Sequence, residues 1–218
     1  MADLKKLYEA VLNGDNKSAV AITKEAIADK TDPMELVTGH MIPAMDEVGR
    51  RFECSEYFVP ELLLSARAMK GALELIRPLL AASGVQPVGR VVIGTVKGDL
   101  HDIGKNLVAS MLEGSGFEVR DLGTDVSPEK FVQAVQESGA QVVCLSALLT
   151  VTMPSMKTTI TALENAGIRG KVKVLVGGAP VTSQYAQQIG ADGFGENANT
   201  AVTLARKMVA QSAPQATA

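Results

Sequence analysis

The chain is poor in the residues on which several common kinds of protein depend. Its 218 residues include two cysteines, Cys54 and Cys144, two histidines and no tryptophan. Two cysteines without CxxC spacing cannot build the disulfide framework of a small secreted protein, and they fit a reducing compartment. The net charge is −3 and the sequence has no basic cluster, which argues against nucleic-acid binding.

Long apolar runs are also missing. No stretch reaches the roughly 18 apolar residues of a membrane span. The first residues, MADLKKLYEAVLNGD, have an amphipathic pattern and lack the apolar core and cleavage site of a secretory signal. We therefore expect a cytoplasmic protein with neither a membrane nor a nucleic acid as its partner.

The first part of the chain has the apolar spacing of helices. Up to about residue 81, apolar residues recur every three or four positions in four stretches. Asp32-Pro33 is a typical helix start, and Pro43 should kink or break the third helix. The fourth helix should open at Pro60 and end near Pro78. Residues 1–87 are thus predicted to form a four-helix bundle that acts as a cap domain.

A linker and a change of periodicity follow. The segment AASGVQPVG, residues 81–89, has the small, Pro/Gly-punctuated composition of an interdomain linker. After it, β-branched runs alternate with helical stripes, at 91–96, 117–122, 142–146, 172–176 and 192–194. Runs that are apolar on both faces predict a parallel sheet between helices. We predict a five-stranded Rossmann-like (flavodoxin-like) domain over 88–213 and a disordered tail over 214–218.

One histidine lies where such a sheet binds ligands. KGDLHDIGKN, residues 97–106, follows the first predicted strand, and parallel sheets bind ligands at the carboxyl ends of their strands. His101, two residues after Asp99, suggests a metal ligand whose second ring nitrogen is held by a carboxylate. A plain helix start, in which Asp99 caps residues 102–105 and His101 is merely exposed, explains the motif alone equally well.

The context of this motif resembles a known family. GDLHDIGKN, the later segment SALLTVT and Gly177-Gly178 occur in the order and at the spacing of the cobalamin-binding domain of methionine synthase and the small corrinoid proteins of methyltransferase systems. VGRRFECSEYFVPELLLSARAM, residues 48–69, is similar to that family's helical cap. The resemblance extends from the first helix to about Ala210.

The resemblance implies cobalamin, a corrinoid that carries cobalt, as the cofactor. His101 would replace the cofactor's own dimethylbenzimidazole as the lower ligand of cobalt. Asp99 would hold the other nitrogen of His101 and relay protons to Thr152, where methionine synthase has serine. The other residues expected to bind the cofactor are Gly98, Asp102 and Gly104 of the motif, and Ser146, Thr150, Gly177, Gly178 and Ala198 around the displaced nucleotide tail. Each of these also fits ordinary turn or helix-start chemistry.

Two residues of the cap match positions that cover the methyl face of cobalt in methionine synthase. They are Phe52 and Val59, and methionine synthase has leucine at the second position. Simple packing between the third and fourth helices explains both residues as well. The other histidine, His40, is interpreted as a helix-packing residue and not as a second ligand.

The implied function is methyl transport within one-carbon metabolism. The sequence shows no Ser-His-Asp set, zinc site or phosphate loop, so we identify no catalytic residue and expect a non-catalytic subunit. In this family a substrate-specific methyltransferase loads a methyl group onto cob(I)alamin. A second methyltransferase passes it to tetrahydrofolate or coenzyme M, and a reductive activase is the third expected partner.

Other functions share parts of this pattern. The cobalamin-binding subunit of a carbon-skeleton mutase shares the histidine motif but needs a substrate barrel in place of a methyl-type cap. A cobalamin-dependent sensor needs an added DNA-binding or signalling domain. A flavodoxin-like response module without a corrinoid would contain no cobalt. The residues do not choose among methanol, methylamines, betaines and aryl methyl ethers as the methyl donor.

Overall fold

The computed structural model describes residues 2–82 and 87–212. The chain forms two compact units, Met1–Pro87 with Ser110–Gly116, and Val88–Ala109 with Phe117–Ala218. Part of the expected linker, 83–86, and the predicted tail, 214–218, lie outside the described residues. None of the helices in the described part has the length and apolar character of a membrane span.

The first unit is helical, as the sequence predicts. Its elements are α1 (Leu4–Leu12), α2 (Asn16–Ala28), α3 (Pro33–Glu35), a π-helical segment (Leu36–Met41), α4 (Ile42–Glu53) and α5 (Val59–Ala82). Asp3, Asp15 and Asp32 cap the starts of α1, α2 and α3 by accepting hydrogen bonds from backbone amides of the first turn. The apolar stripes of these helices are buried against one another, with Leu7 and Met69 fully inaccessible.

Proline affects these helices less than expected. Pro43 does not break the third helix, because a π-helical segment precedes it and the amide of Ile42 bonds to the carbonyl of Val37, five residues back. The expected end near Pro78 is wrong, since α5 continues to Ala82. A proline removes one backbone donor, while the residues after it can still bond to carbonyls one turn earlier.

The second unit is a parallel α/β structure, and the predicted fold class is confirmed. Its elements are β1 (Arg90–Thr95), α6 (Ile103–Gly114), β2 (Glu118–Asp121), α7 (Pro128–Ser138), β3 (Val142–Ser146), α8 (Pro154–Asn165), a 3₁₀ turn (Arg169–Lys171), β4 (Lys173–Gly177), α9 (Ser183–Ile189), β5 (Gly193–Gly195) and α10 (Ala198–Ser212). The part of α6 from Ser110 onward belongs to the first unit. The five strands pair in the order β2-β1-β3-β4-β5, all parallel.

The strand order fixes where a ligand can bind. The chain runs from β1 outward to β2 and then returns to β3 on the other side of β1. At such a switch point the loops after the two central strands diverge and leave a crevice at the carboxyl edge. The loops that follow β1 and β3, residues 96–102 and 147–153, are therefore the natural walls of a binding site.

Candidate functional site

A buried carboxylate organises these two loops. The side chain of Asp99 is inaccessible to solvent. Its Oδ1 accepts from the backbone amide of His101 at 3.1 Å and lies 2.7 Å from the His101 ring atom Nδ1. Its Oδ2 accepts from the amides of Leu148 and Leu149, at 2.8 and 3.2 Å, and from Thr152 Oγ1 at 2.7 Å. Asp99 thus ties the loop after β1 to the loop after β3.

These bonds determine the charge of Asp99. Burial by itself would raise the pKa of Asp99, but the hydrogen bonds from Thr152, His101 and Leu148 outweigh it and hold the pKa well below its usual range. An ionised carboxylate only accepts hydrogen bonds, so Nδ1 of His101 carries the proton. In the neutral imidazole the other ring nitrogen, Nε2, then has the lone pair that a metal ligand requires.

The capping alternative for Asp99 is wrong. The described hydrogen bonds of its carboxylate go to His101 and the loop after β3, and α6 begins at Ile103. The His101 side chain remains 48% exposed, so its free nitrogen is accessible. The structure therefore brings Asp99 and His101 together as the motif suggested, and it adds Thr152 in the linked arrangement that the resemblance implied.

Several apolar side chains in and beside the two loops are unusually exposed. Leu100, Ile103 and Val151 are 74%, 82% and 81% exposed, and Leu148 and Leu149 are about half as accessible. Ile103 is the first residue of α6, and the other four belong to the same two loops as His101 and Thr152. Sequence reasoning missed them, although two leucines and a valine within a loop, in SALLTVT, are a detectable signal. Contiguous exposed apolar surface usually marks a binding site.

The glycines and hydroxyls expected around the nucleotide tail lie at the same sheet edge. Ser146 and Gly177 end adjacent strands and are register partners. Gly178 has a φ of +124°, and a Cβ there would lie 1.9 Å from the carbonyl oxygen of Ala147. The backbone itself therefore requires glycine at 178. Thr150 is exposed in the loop after β3, and Ala198 is buried at the start of α10.

The remaining motif residues lie around the start of α6. Gly98 adopts a φ of +86° directly before Asp99. A Cβ on Gly104 would meet no atom within 4 Å, so this position is open. Asp102 accepts a hydrogen bond from Asn106 within the first turn, at 3.1 Å. The open space at Gly104 leaves room for a neighbouring group.

The expected cap residues belong to the helical unit. Phe52, in the last turn of α4, is partly buried, and Val59, at the start of α5, is 39% exposed. His40 lies in the π-helical segment and is partly exposed. Roles for Phe52 and Val59 in shielding a cofactor stay predictions.

The single nitrogen ligand that His101 offers fits a metal that is already bound within a larger cofactor. No group of three or more His, Cys, Asp or Glu side chains in the described ranges could hold a bare metal ion. A single histidine nitrogen beside apolar surface instead suits a metal whose other positions are filled by a flat macrocycle. The cobalt of cobalamin, held in its corrin ring, meets this requirement.

Comparison with known proteins gives the same result. Residues 89–205 match a family described as a B12 binding domain, and residues 3–77 match a second family with that description. The trimethylamine corrinoid protein of Methanosarcina barkeri is 44% identical over 91% of this chain and 93% of its own. A corrinoid protein of Desulfitobacterium hafniense is 39% identical over 96% and 98%.

Solved structures agree with these relatives. A chain of the methanol:cobalamin methyltransferase complex MtaBC from M. barkeri matches with a TM-score of 0.83 and 31% identity, over 94% of this chain and 78% of that one. A cobalamin-binding protein from D. hafniense matches with a TM-score of 0.77 and 34% identity, over 95% and 99%. The chain therefore belongs to the B12-binding corrinoid proteins, and its cofactor is cobalamin.

Proposed function

We propose that the chain is a corrinoid methyl carrier, which receives a methyl group from one methyltransferase and delivers it to another. The decisive observation is the orientation of His101, whose Nδ1 is held at 2.7 Å by a buried carboxylate while its ring stays half exposed beside apolar side chains. When bound, the cobalamin supplies the cobalt that carries the methyl group.

The protein's own residues bind and orient. His101 ligates cobalt through Nε2, in place of the cofactor's own base. Asp99 fixes the tautomer and direction of the ring, and Thr152 holds Asp99 from the far side at 2.7 Å. Because Nδ1 donates its proton to the Asp99 carboxylate in a hydrogen bond, Nε2 of His101 becomes a more basic metal ligand. Thr152 keeps the hydroxyl that a proton relay needs.

The residues at the carboxyl edge between β3 and β4 would hold the cofactor's displaced tail. Ser146 and Thr150 supply hydroxyls there, and Gly177, Gly178 and Ala198 present little side-chain volume. Gly98, Asp102 and Gly104 support the histidine loop on the other side. The structural need for glycine at 178 does not conflict with this role, because the same absence of a side chain leaves space for a ligand.

Names among the relatives support a methyltransferase as partner. They include trimethylamine and dimethylamine corrinoid proteins, and the matched MtaBC structure is a methyltransferase complex. We propose a substrate:corrinoid methyltransferase as the loading partner, a methyltransferase that uses tetrahydrofolate or coenzyme M as the receiving one, and a reductive activase. A cytoplasmic location follows from such partners. These names describe corrinoid proteins and a methyltransferase complex, and none describes a mutase or a sensor.

The test uses the two histidines of the chain as a matched pair. Protein labelled with ¹⁵N-histidine and reconstituted with cobalamin is reduced to cob(II)alamin and examined by electron paramagnetic resonance. We expect a nitrogen splitting that changes with the ¹⁵N label, persists in His40→Ala and is lost in His101→Ala. Both variants should retain corrinoid, because burial of the tail contributes much of the affinity.

Two results would contradict the proposal. A splitting that does not change with the ¹⁵N label would mean that the cofactor's own base remains the lower ligand of cobalt. Cobalamin-loaded protein that binds the cofactor through His101 but accepts no methyl group from any methanol, methylamine, betaine or aryl methyl ether methyltransferase would favour a sensor.

A further inference from the structure

The loop that carries His101 is tied to the sheet by a threonine that faces away from solvent. Thr95 ends β1 and is fully buried. Its Oγ1 donates to the backbone carbonyl of His101 at 2.8 Å. The backbone of Thr95 is itself fixed, since its amide donates to Gly123 and its carbonyl accepts from Val126. The hydroxyl therefore transmits a rigid strand position to His101.

An aspartate from the loop after β2 holds the other end of the same loop. Asp125 Oδ1 accepts from the amide of Gly98 at 2.7 Å, and the amide of Asp125 donates to the carbonyl of Asp99 at 2.9 Å. Asp125 adopts a φ of +52°, in the left-handed region that non-glycine residues rarely occupy. Strained backbone of this kind persists where the surroundings enforce it, and it is concentrated at functional sites.

These two contacts lie on either side of the segment that contains Asp99 and His101. Asp125 holds Gly98, which lies directly before Asp99. Thr95 holds the backbone carbonyl of His101 itself. With both points fixed, the loop between them has little freedom to move Nε2. We propose that Thr95 and Asp125 are positioning residues that hold His101 in the geometry for cobalt ligation. This inference rests on the proposed lower-ligand role of His101.

Matched variants separate positioning from folding. Thr95→Val removes the hydroxyl while keeping the shape, and Thr95→Ser restores the donor. Asp125→Gly relieves the left-handed strain but removes the acceptor, and Asp125→Asn tolerates that conformation and keeps Oδ1. If only space or backbone strain mattered, the valine and glycine variants would behave like the wild-type protein.

The readout is the cob(II)/cob(I) midpoint potential of the reconstituted proteins. Cob(I)alamin has no lower ligand, so weaker ligation of cob(II)alamin moves the midpoint to more positive values. Loss of one hydrogen bond should weaken ligation about three- to tenfold in Thr95→Val and Asp125→Gly. For a one-electron couple this is a positive shift of about 30 to 60 mV. Thr95→Ser and Asp125→Asn should stay near the wild-type midpoint.

Each outcome decides the question. Wild-type midpoints in both Thr95→Val and Asp125→Gly, with normal thermal unfolding of the apoproteins, would overturn the inference. If Thr95→Val does not fold, the Asp125 pair decides by itself. The His101→Ala variant gives the full shift, and a wild-type midpoint in that variant would instead refute the ligand role of His101 itself.

Discussion

Two charged clusters, one in each unit, lie in opposite environments. At the sheet edge Asp99 is buried and accepts five hydrogen bonds from two loops. Near the turn between α4 and α5, Glu47 pairs with both Arg50 and Arg51 at 2.8 Å, and these side chains remain accessible to solvent. Arg51 also stacks over the ring of Tyr57, 5.1 Å from its centroid.

The difference shows which unit needs exact geometry. A buried charge is tolerated only when its hydrogen bonds are all made, so it forces the surrounding loops into one arrangement. Solvated ion pairs contribute little and permit small movements. The sheet edge is therefore built to hold one nitrogen in place, whereas the helical unit presents exposed apolar side chains such as Phe58 and Leu64.

The largest predicted effect follows from removing the buried carboxylate. Asp99→Ala leaves the amides of Leu148 and Leu149 without their acceptor, while the hydroxyl of Thr152 keeps only the carbonyl of Leu149, at 2.8 Å. We expect the sheet unit to lose about 3 kcal/mol or more of its free energy of unfolding. Asp99→Asn keeps one acceptor oxygen and should lose less.

Hydrogen exchange measured by mass spectrometry reads the two units separately. In the Asp99 variants, peptides from 96–102 and 147–153 should lose protection first, while peptides from α1 and α2 stay unchanged. Equal loss of protection in both units, or wild-type stability in Asp99→Ala, would remove the contrast between buried and exposed networks.

A smaller effect is expected from adding a methyl group at the end of β4. In Gly178→Ala the new Cβ would meet the Ala147 carbonyl oxygen at 1.9 Å, in addition to the strain of a φ of +124°. We expect a loss of about 2 to 3 kcal/mol. Gly123→Ala is the control, because its φ is +81° but no atom lies within 4 Å of the new Cβ.

Gly123→Ala should therefore lose only about 1 kcal/mol, from backbone strain alone. Urea unfolding followed by circular dichroism compares the two variants. Equal losses would mean that the loop after β3 yields easily to the new side chain and that this edge of the sheet is less rigid than its hydrogen bonds indicate.

The sequence predicts the elements of this site better than its contacts. Runs of β-branched residues locate the strands to within a residue or two, because burial on both faces leaves a clear pattern. The motif follows the first of these strands directly, so the sequence also places Asp99 and His101 at the correct edge of the sheet. The amides of Leu148 and Leu149 leave no such signal, since any residue type supplies a backbone donor.

Other features depend on tertiary structure in the same way. The left-handed conformation of Asp125 is set by its contacts with Gly98 and Asp99, and the residue type alone does not reveal it. The π-helical turn before Pro43 and the continuation of α5 past Pro78 also escape local rules, because local proline rules do not include the packing of a helix along its length.

The smallest predicted effect lies in the helical unit and depends on pH. Hydrogen bonds from Arg50 and Arg51 lower the pKa of Glu47 from its ordinary 4.5 to about 2. A carboxylate with a lowered pKa stabilises the folded state at pH values above 4.5, and this contribution is lost as the pH falls from 4.5 through about 2.

Glu47→Gln should therefore lower Tm at pH 7 by about two degrees or less, because the pair is exposed. At pH 3 the greater part of that difference should be gone. Thermal unfolding of both proteins at pH 7, 5 and 3 measures it, with 1 M NaCl at pH 7 as a control that should reduce the difference by screening. A difference of the same size at pH 7 and pH 3 would show that Glu47 acts through packing and not through its charge.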